Sequence, residues 1–199
     1  MVLCQKPVKL EGKYINIHQD LIDACRNGDR NAQFEIYKLY YKAMFNTSLR
    51  IVNQSAEAED IMQESFLDAF QRLHSYTGEG SFGSWLKRIV INHSLDYLRK
   101  ERETVPFDEV EYDIPDSTEE NREEEIQFQV IEVKKAISLL RDEYRIVLSL
   151  FLLEGYDHKE IAQILKISNQ LSRTRYSRAR QKLLGLLKEK KYYKTFSEN

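Results

Sequence analysis

Gln170, Arg173, Thr174, Ser177 and Arg178, with Gln181 beyond them, fall on one side of a helix wound at 100° per residue. No acid or base stands among them to activate the Thr174 or Ser177 hydroxyl. Their chemistry is hydrogen bonding and positive charge. An Arg fork pairs with the guanine edge, a Gln amide with adenine, and both also reach phosphate oxygens. Arg175, Arg180 and Lys182 flank this row and suit backbone phosphates. The opposite side carries Tyr176, Ala179, Leu183, Leu186 and Leu187, with Ser172 among them, which is a core stripe.

Such a helix needs something to hold it. Directly before it stands "EGYDHKEIAQILKIS". Gly155 can end a preceding helix with a positive φ. Asp157 caps a new helix, and Glu160 three positions on completes a capping-box pair, with Asp in place of Ser or Thr. Ile161, Ala162, Ile164 and Leu165 give that short helix a buried face. Ser168 then caps the basic helix. Ile137, Leu140, Tyr144, Val147, Leu148 and Phe151 recur at helical spacing upstream. The pattern is a helix-turn-helix whose second helix is basic, the geometry that enters a DNA major groove. A basic run alone is more often a solvated face; the caps, the turn and the split between faces are what favour DNA.

The charge is local. The 199-residue chain has a net charge of −2, yet residues 166–194 hold 10 basic side chains against Glu189 alone. Residues 104–128 hold 10 acidic ones against Arg122 alone. That acidic stretch contains Pro106 and Pro115 and lacks an apolar stripe, so it reads as an extended linker between two helical domains. With 42% hydrophobic residues, 7 Gly, 3 Pro and little alternating pattern, the expected fold is all-α.

Upstream of the linker three helices are expected. "NAQFEIYKLYYKAMFNTSLRIV" presents Phe34, Tyr37, Tyr41, Met44, Phe45 and Leu49 as a core stripe. "SAEAEDIMQESFLDAFQRL" buries Ala58, Ile61, Met62, Phe66, Ala69, Phe70 and Leu73 and leaves Asp60, Gln63, Glu64, Leu67 and Gln71 opposite, a polar face with one apolar side chain. "FGSWLKRIVINHSLDYLRKERE" puts Phe82, Trp85, Leu86, Ile89, Val90, His93 and Tyr97 on one side and Arg88, Asn92, Leu95 and Arg99 on another. A Gly-containing loop, His74 to Ser81, precedes it. Aromatic and arginine side chains beside a flexible loop suit unpaired bases, although a single Trp is more often a core residue.

Other chemistries find little support. Cys4 and Cys25 have no metal-ligand spacing and make no disulfide framework. His18, His74, His93 and His158 are scattered, and there is no phosphate-cradling glycine motif or nucleophile elbow. No stretch approaches the ~18 apolar residues of a membrane span, and the N-terminus lacks the apolar block of a signal peptide. The chain reads as cytoplasmic, without cofactor, metal or small-molecule substrate.

Taken in order, these blocks resemble a sigma factor of the sigma-70 family, extracytoplasmic-function type, over about Gln19 to Lys188. The resemblance implies a division of roles. "AEDIMQESFLDAF" is similar to the segment that binds the β′ clamp coiled coil of core RNA polymerase, which places Asp60, Gln63, Glu64 and Leu67 at that contact, with Phe66 supporting from the core. "FGSWLKRIVINHSLDYLRK" is similar to the segment that melts and reads the minus-10 element, which assigns Trp85, Arg88, Asn92 and Arg99, with the loop Ser75 to Ser81 capturing a flipped base. The helix-turn-helix is similar to the minus-35 reader, which assigns Gln170, Arg173, Thr174, Arg175, Ser177 and Arg178. It further implies segments 1–18 (N-terminal extension), 19–103 (region 2), 104–128 (linker), 129–191 (region 4) and 192–199 (tail). The implied partners are core polymerase, including its β flap, promoter DNA and an anti-sigma factor. The acidic linker would thread where RNA runs, or pair with the basic helix in the free protein. The chain departs from the family pattern at Lys166, where Gly is frequent, and at Gln170-Leu171, where Gly-Thr is. A free-standing helix-turn-helix regulator and an enzyme are the competing classes; the first gives the Asp60 face and the aromatic helix no work, the second lacks a catalytic set.

Overall fold

The computed structural model describes residues 9–10, 13–14, 17–104 and 122–197. The chain divides into two units, Met1–Pro106 and Phe107–Asn199. The described chain is helical except for its connections and one minimal antiparallel ladder, β1 (Lys9–Leu10) with β2 (Lys13–Tyr14), in which Lys9 faces Tyr14 and Leu10 faces Lys13.

The first unit contains α1 (Gln19–Arg26), α2 (Arg30–Val52), α3 (Ser55–Gln71), a 3-10 turn (Leu73–Ser75) and α4 (Phe82–Thr104). Helix α1 was not expected from sequence. Asp29 caps α2, its carboxylate accepting from Asn31 N–H at 2.8 Å and Ala32 N–H at 3.2 Å. Helices α2, α3 and α4 pack on one another, and α1 packs on α2. Ile22, Ile36, Met44, Met62, Phe66, Tyr76, Phe82, Leu86 and Val90 fill the core. Small residues allow the helices to approach: the buried Ser94 hydroxyl meets the buried Ser48 hydroxyl at 3.0 Å and donates to Val90 O at 2.8 Å.

Two expectations on this unit are corrected. Phe34 is 59% exposed, with the Lys38 ammonium 4.9 Å from its ring centroid. Ala32 and Ile36, on an adjacent stripe, take the core positions. Leu95, placed with the polar residues of α4, is buried. Helix α4 packs against both α2 and α3, so its apolar arc is wider than a one-sided wheel suggests, and Ile91 and Leu98 are buried beside Leu95.

The second unit contains α5 (Arg122–Ser138), α6 (Asp142–Leu152), α7 (His158–Leu165) and α8 (Asn169–Ser197). Helix α5 begins within the segment read as linker; glutamates 123–125 are good helix formers and suit a helix N-terminus. The rest of that segment, 105–121, lies outside the described residues, as do most of 1–18. Helix α8 continues through most of the segment read as tail. The apolar run from Ile137 to Phe151 is two helices rather than one. Leu140 N–H bonds Ile137 O at 3.1 Å, and the buried Arg145 guanidinium turns back to Leu140 O at 3.3 Å and to the Asp142 carboxylate at 2.9 Å. That internal cation holds the break where neither Gly nor Pro marks it. Ala136, Ile137, Leu140, Leu148, Ala179 and Leu183 form this unit's core.

Candidate nucleic-acid interface

The helix-turn-helix is built by caps. Asp157 accepts from Lys159 N–H at 2.7 Å and Glu160 N–H at 2.9 Å, while the Glu160 carboxylate accepts from Asp157 N–H at 2.8 Å. The Glu160 N–H bond, more than any other contact, holds the Asp157 carboxyl below its ordinary range; Lys159 N–H and the nearby Lys159 and His158 charges act the same way, against some desolvation. Helix α6 closes through Gly155 at φ +80. Helix α7 closes through Lys166, a left-handed residue at φ 54 and ψ 45, with Ile167 N–H reaching back to Ala162 O at 3.0 Å. Ser168 then caps α8, its hydroxyl accepting from Leu171 N–H at 3.1 Å.

The two helices lock through an aromatic box. The His158 ring stacks on Phe151 with centroids 4.7 Å apart and meets Tyr176 edge-on at 5.4 Å. Its Nδ1 lies 3.0 Å from the Ser172 hydroxyl, which is buried on the inner side of α8. Burial first, and the Arg173 charge second, hold the His158 pKa below its ordinary value. A neutral ring therefore fits the box near neutral pH. Sequence spacing gave His158 no role; Phe151 stacked on it and Tyr176 set edge-on supply it.

Gln170, Arg173, Thr174, Ser177 and Arg178 are all exposed on α8, opposite the buried Ser172, Ala179 and Leu183. Within this row, Arg173 Nε donates to Asn169 Oδ1 at 2.9 Å, and the Thr174 hydroxyl donates to Gln170 O at 2.9 Å. Arg175 stands apart from them. It is half-buried, and its guanidinium pairs with the Glu143 carboxylate of α6 at 3.4 Å. Part of its charge is thus spent on fixing α8 to α6, a partner that no local spacing reveals.

In the first unit the candidate minus-10 residues lie along α4. Trp85 is half-buried, leaning on Tyr76 with ring centroids 5.4 Å apart and on Phe82 at 5.6 Å. Arg88 is half-buried, and Asn92 is exposed. Arg99 is exposed and pairs with Asp96 at 2.5 Å. The loop before α4 is tied down. Tyr76 is buried, and its hydroxyl donates to Gly80 O at 2.6 Å. Gly78 takes φ +80, open to Gly and strained for other residues. Ser81 caps α4, accepting from Ser84 N–H at 3.1 Å.

On α3, Asp60, Gln63, Glu64 and Leu67 are all exposed, while Phe66 is buried in the core. Leu67 is 63% exposed in a polar surround. Beside this face, Asp68 joins Arg72 at 2.5 Å and His93 at 3.2 Å, and His93 Nδ1 lies 3.2 Å from the Ser65 hydroxyl. These contacts tie α3 to α4 under the polar row. Among the described residues no cluster of His, Cys, Asp or Glu could hold a metal ion, and no helix is long and apolar enough to cross a membrane.

Comparison with known proteins places both units. Residues 36–104 match the model of sigma-70 region 2, and residues 131–183 match that of sigma-70 region 4. The chain is 31% identical over 156 residues to the ECF RNA polymerase sigma factor SigM of Bacillus subtilis (strain 168), covering 76% of this chain and 93% of the relative. It is 28% identical over 178 residues to the ECF RNA polymerase sigma factor SigM of Mycobacterium tuberculosis (strain ATCC 35801 / TMC 107 / Erdman), covering 88% and 87%. Among solved structures, the sigma factor RpoE in complex with the anti-sigma factor NepR from Bartonella quintana is similar in fold, with a TM-score of 0.55 and 21% identity, covering 77% of this chain and 95% of that one.

Proposed function

The chain belongs to the extracytoplasmic-function sigma factors of the sigma-70 family, and from that premise we propose how its faces divide the work of promoter-specific transcription initiation with RNA polymerase. Residues Asp60, Gln63, Glu64 and Leu67 dock region 2 on the β′ clamp coiled coil of core polymerase, and region 4 sits at the β flap. The row Gln170, Arg173, Thr174, Ser177 and Arg178 reads the minus-35 element in the major groove, with Arg175 as a phosphate contact steadied by Glu143. Trp85, Arg88, Asn92 and Arg99 open and hold the minus-10 element, and the loop Ser75 to Ser81 takes up an unpaired base.

One observation carries this assignment. Gln170, Arg173, Thr174, Ser177 and Arg178, all hydrogen-bonding or cationic, are exposed together on α8, and they stand on a doubly capped helix-turn-helix in a chain that also carries region 2. The catalytic chemistry belongs to the polymerase, so the chain needs no cofactor of its own. It works in the cytoplasm, where polymerase and promoter are. An anti-sigma partner is expected by likeness to the RpoE complex.

Run-off transcription tests the proposal. Sigma-free core polymerase, this protein and fragmented genomic DNA are combined and RNA 5′ ends are mapped. Discrete starts that depend on the protein, and that vanish with Arg173→Ala plus Arg178→Ala, are the expected result. Starts that survive the double substitution would overturn the minus-35 assignment, and failure to bind core polymerase would overturn the docking assignment.

A further inference from the structure

Loop 75–81 is anchored by a residue fifty positions away. Helix α1 buries Ile22 and Cys25 in the core that also contains Leu73, Tyr76 and Phe82. Its last residue, Arg26, therefore arrives beside the loop. One guanidinium nitrogen of Arg26 holds the Asp23 carboxylate at 3.0 Å, and the other donates to Tyr76 O at 2.6 Å. The guanidinium carbon also stands 5.9 Å from the Tyr76 ring centroid. Asp23 is held in turn by the Gln19 amide at 3.0 Å.

Tyr76 carries the constraint across the loop. Its carbonyl is fixed by Arg26, its ring is wedged against Phe82 and Trp85, and its hydroxyl holds Gly80 O. The arc between, Thr77, Gly78 and Glu79, is thus pinned at both ends while Thr77 and Glu79 remain exposed. A charge-assisted bond to a carbonyl is stronger than a neutral one, and this bond is shorter than the usual N–H···O distance.

We infer that Arg26 is a positioning residue for minus-10 recognition: it sets the shape of the Thr77–Glu79 arc through Tyr76 without touching DNA. The inference rests on the proposal that this loop takes up an unpaired base. The physical reason is pre-organisation. An arc already held in one shape loses little freedom on receiving a base, whereas a loose arc must be ordered at each encounter. Removing the anchor should therefore weaken base discrimination at the position the loop reads, and leave intact the surfaces on α3 and α8.

The test uses full-length protein in holoenzyme and fork-junction DNA carrying the minus-10 sequence obtained from transcript mapping. Each of the four bases is placed in turn at each unpaired position, and relative affinity is measured by competition. Arg26→Ala should reduce the preference at one position about tenfold, the scale of a lost charge-assisted hydrogen bond. Affinity for core polymerase and for a duplex minus-35 probe should stay within about twofold. Arg26→Lys, which keeps a cationic donor, should restore part of the preference. Tyr76→Phe, which removes only the hydroxyl, should lower it in the same position. Unchanged preference in Arg26→Ala and Tyr76→Phe would overturn the inference. So would parallel loss of core and minus-35 binding, which would mark Arg26 as a plain structural residue. If the unsubstituted protein shows no base preference, or if Thr77→Ala plus Glu79→Ala leaves it untouched, the role of the loop itself fails. If those loop changes abolish a preference that Arg26→Ala preserves, Arg26 alone is refuted.

Discussion

Replacing Lys166 by Gly should stabilise the second unit. Lys166 ends α7 at φ 54 and ψ 45, and it is exposed, so no packed contact is lost. A side chain in this left-handed region costs roughly 1–2 kcal/mol because its Cβ crowds the following carbonyl. Glycine avoids that crowding but gives back roughly 0.5–1 kcal/mol through its greater freedom in the unfolded chain. Taking the middle of each range, the net gain is about 0.75 kcal/mol, which for a domain of this size corresponds to a rise in Tm of about 3–6 °C. Lys166→Ala is the decisive control. It removes the same charge and keeps the Cβ, so it should show none of the backbone gain. The assay is thermal unfolding of the full chain followed by far-UV circular dichroism and by fluorescence together. Trp85 is the only Trp and lies in the first unit. Tryptophan emission, excited where the 12 Tyr absorb little, thus follows that unit alone, and the circular dichroism transition it does not share reports the second. A shift of equal size in the Ala and Gly variants would show that charge, not backbone geometry, sets the effect and would refute the reasoning. No shift in either would mean that the turn relaxes without strain.

Three more outcomes are expected. Leu67→Asp should weaken core polymerase binding by about 1.5–3 kcal/mol, the scale of one buried leucine, while leaving Tm nearly unchanged because Leu67 is 63% exposed; native affinity in a pull-down titration would remove α3 from the docking surface. Arg173→Ala and Arg178→Ala should each cost about 1–3 kcal/mol on a minus-35 duplex if they contact bases, whereas a phosphate contact would instead lower the salt slope of binding by about 1 per residue with no change in sequence preference. His158 is held below its ordinary value of 6.5, by burial first. As pH falls below about 6.5 the unfolded chain takes up a proton that the fold resists, so the second unit should lose stability on acidification. His158→Gln should flatten that slope in melts between about pH 7.5 and 5.5; an identical slope in both proteins would assign it to other groups.

Much of the second unit was readable because its signals are local. The Asp157 and Glu160 pair, the Ser168 cap and the split faces of α8 each involve residues within a few turns of one another, and the structure realises them. The errors on α2 and α4 have a common physical origin. A helical wheel assumes one buried side, but α2 and α4 are each packed by more than one neighbour. In α2, "FEIYKLYYKAMF" is apolar or aromatic nearly all round, so the large Phe34 outweighed Ala32 and Ile36, although these smaller residues are the ones that fit the interface. In α4 the same assumption put Leu95 on the wrong side. The break between α5 and α6 escaped for another reason. It is held by the buried Arg145 on Asp142 and on a backbone carbonyl, and a sequence scan takes an arginine as surface.

The same distinction separates contact from control at the proposed DNA sites. Residues facing outward can be guessed from type and period, since exposure and hydrogen-bonding capacity are written in the helix itself. What fixes their geometry lies elsewhere in the chain: Glu143 on Arg175, His158 beneath α8, Arg26 on Tyr76. Each of these partners bonds to a residue far enough away in sequence that no periodicity links the two. An exposed arginine reads a base only as well as its helix is held, and a short loop with glycines at 78 and 80 has little shape of its own. On the proposed assignment, base preference in this protein should therefore depend on side chains that never meet DNA. Two relatives with identical reading residues should then differ in promoter choice where their supporting residues differ, and transplanting the exposed row of α8 without Glu143 and His158 should transfer affinity more fully than specificity.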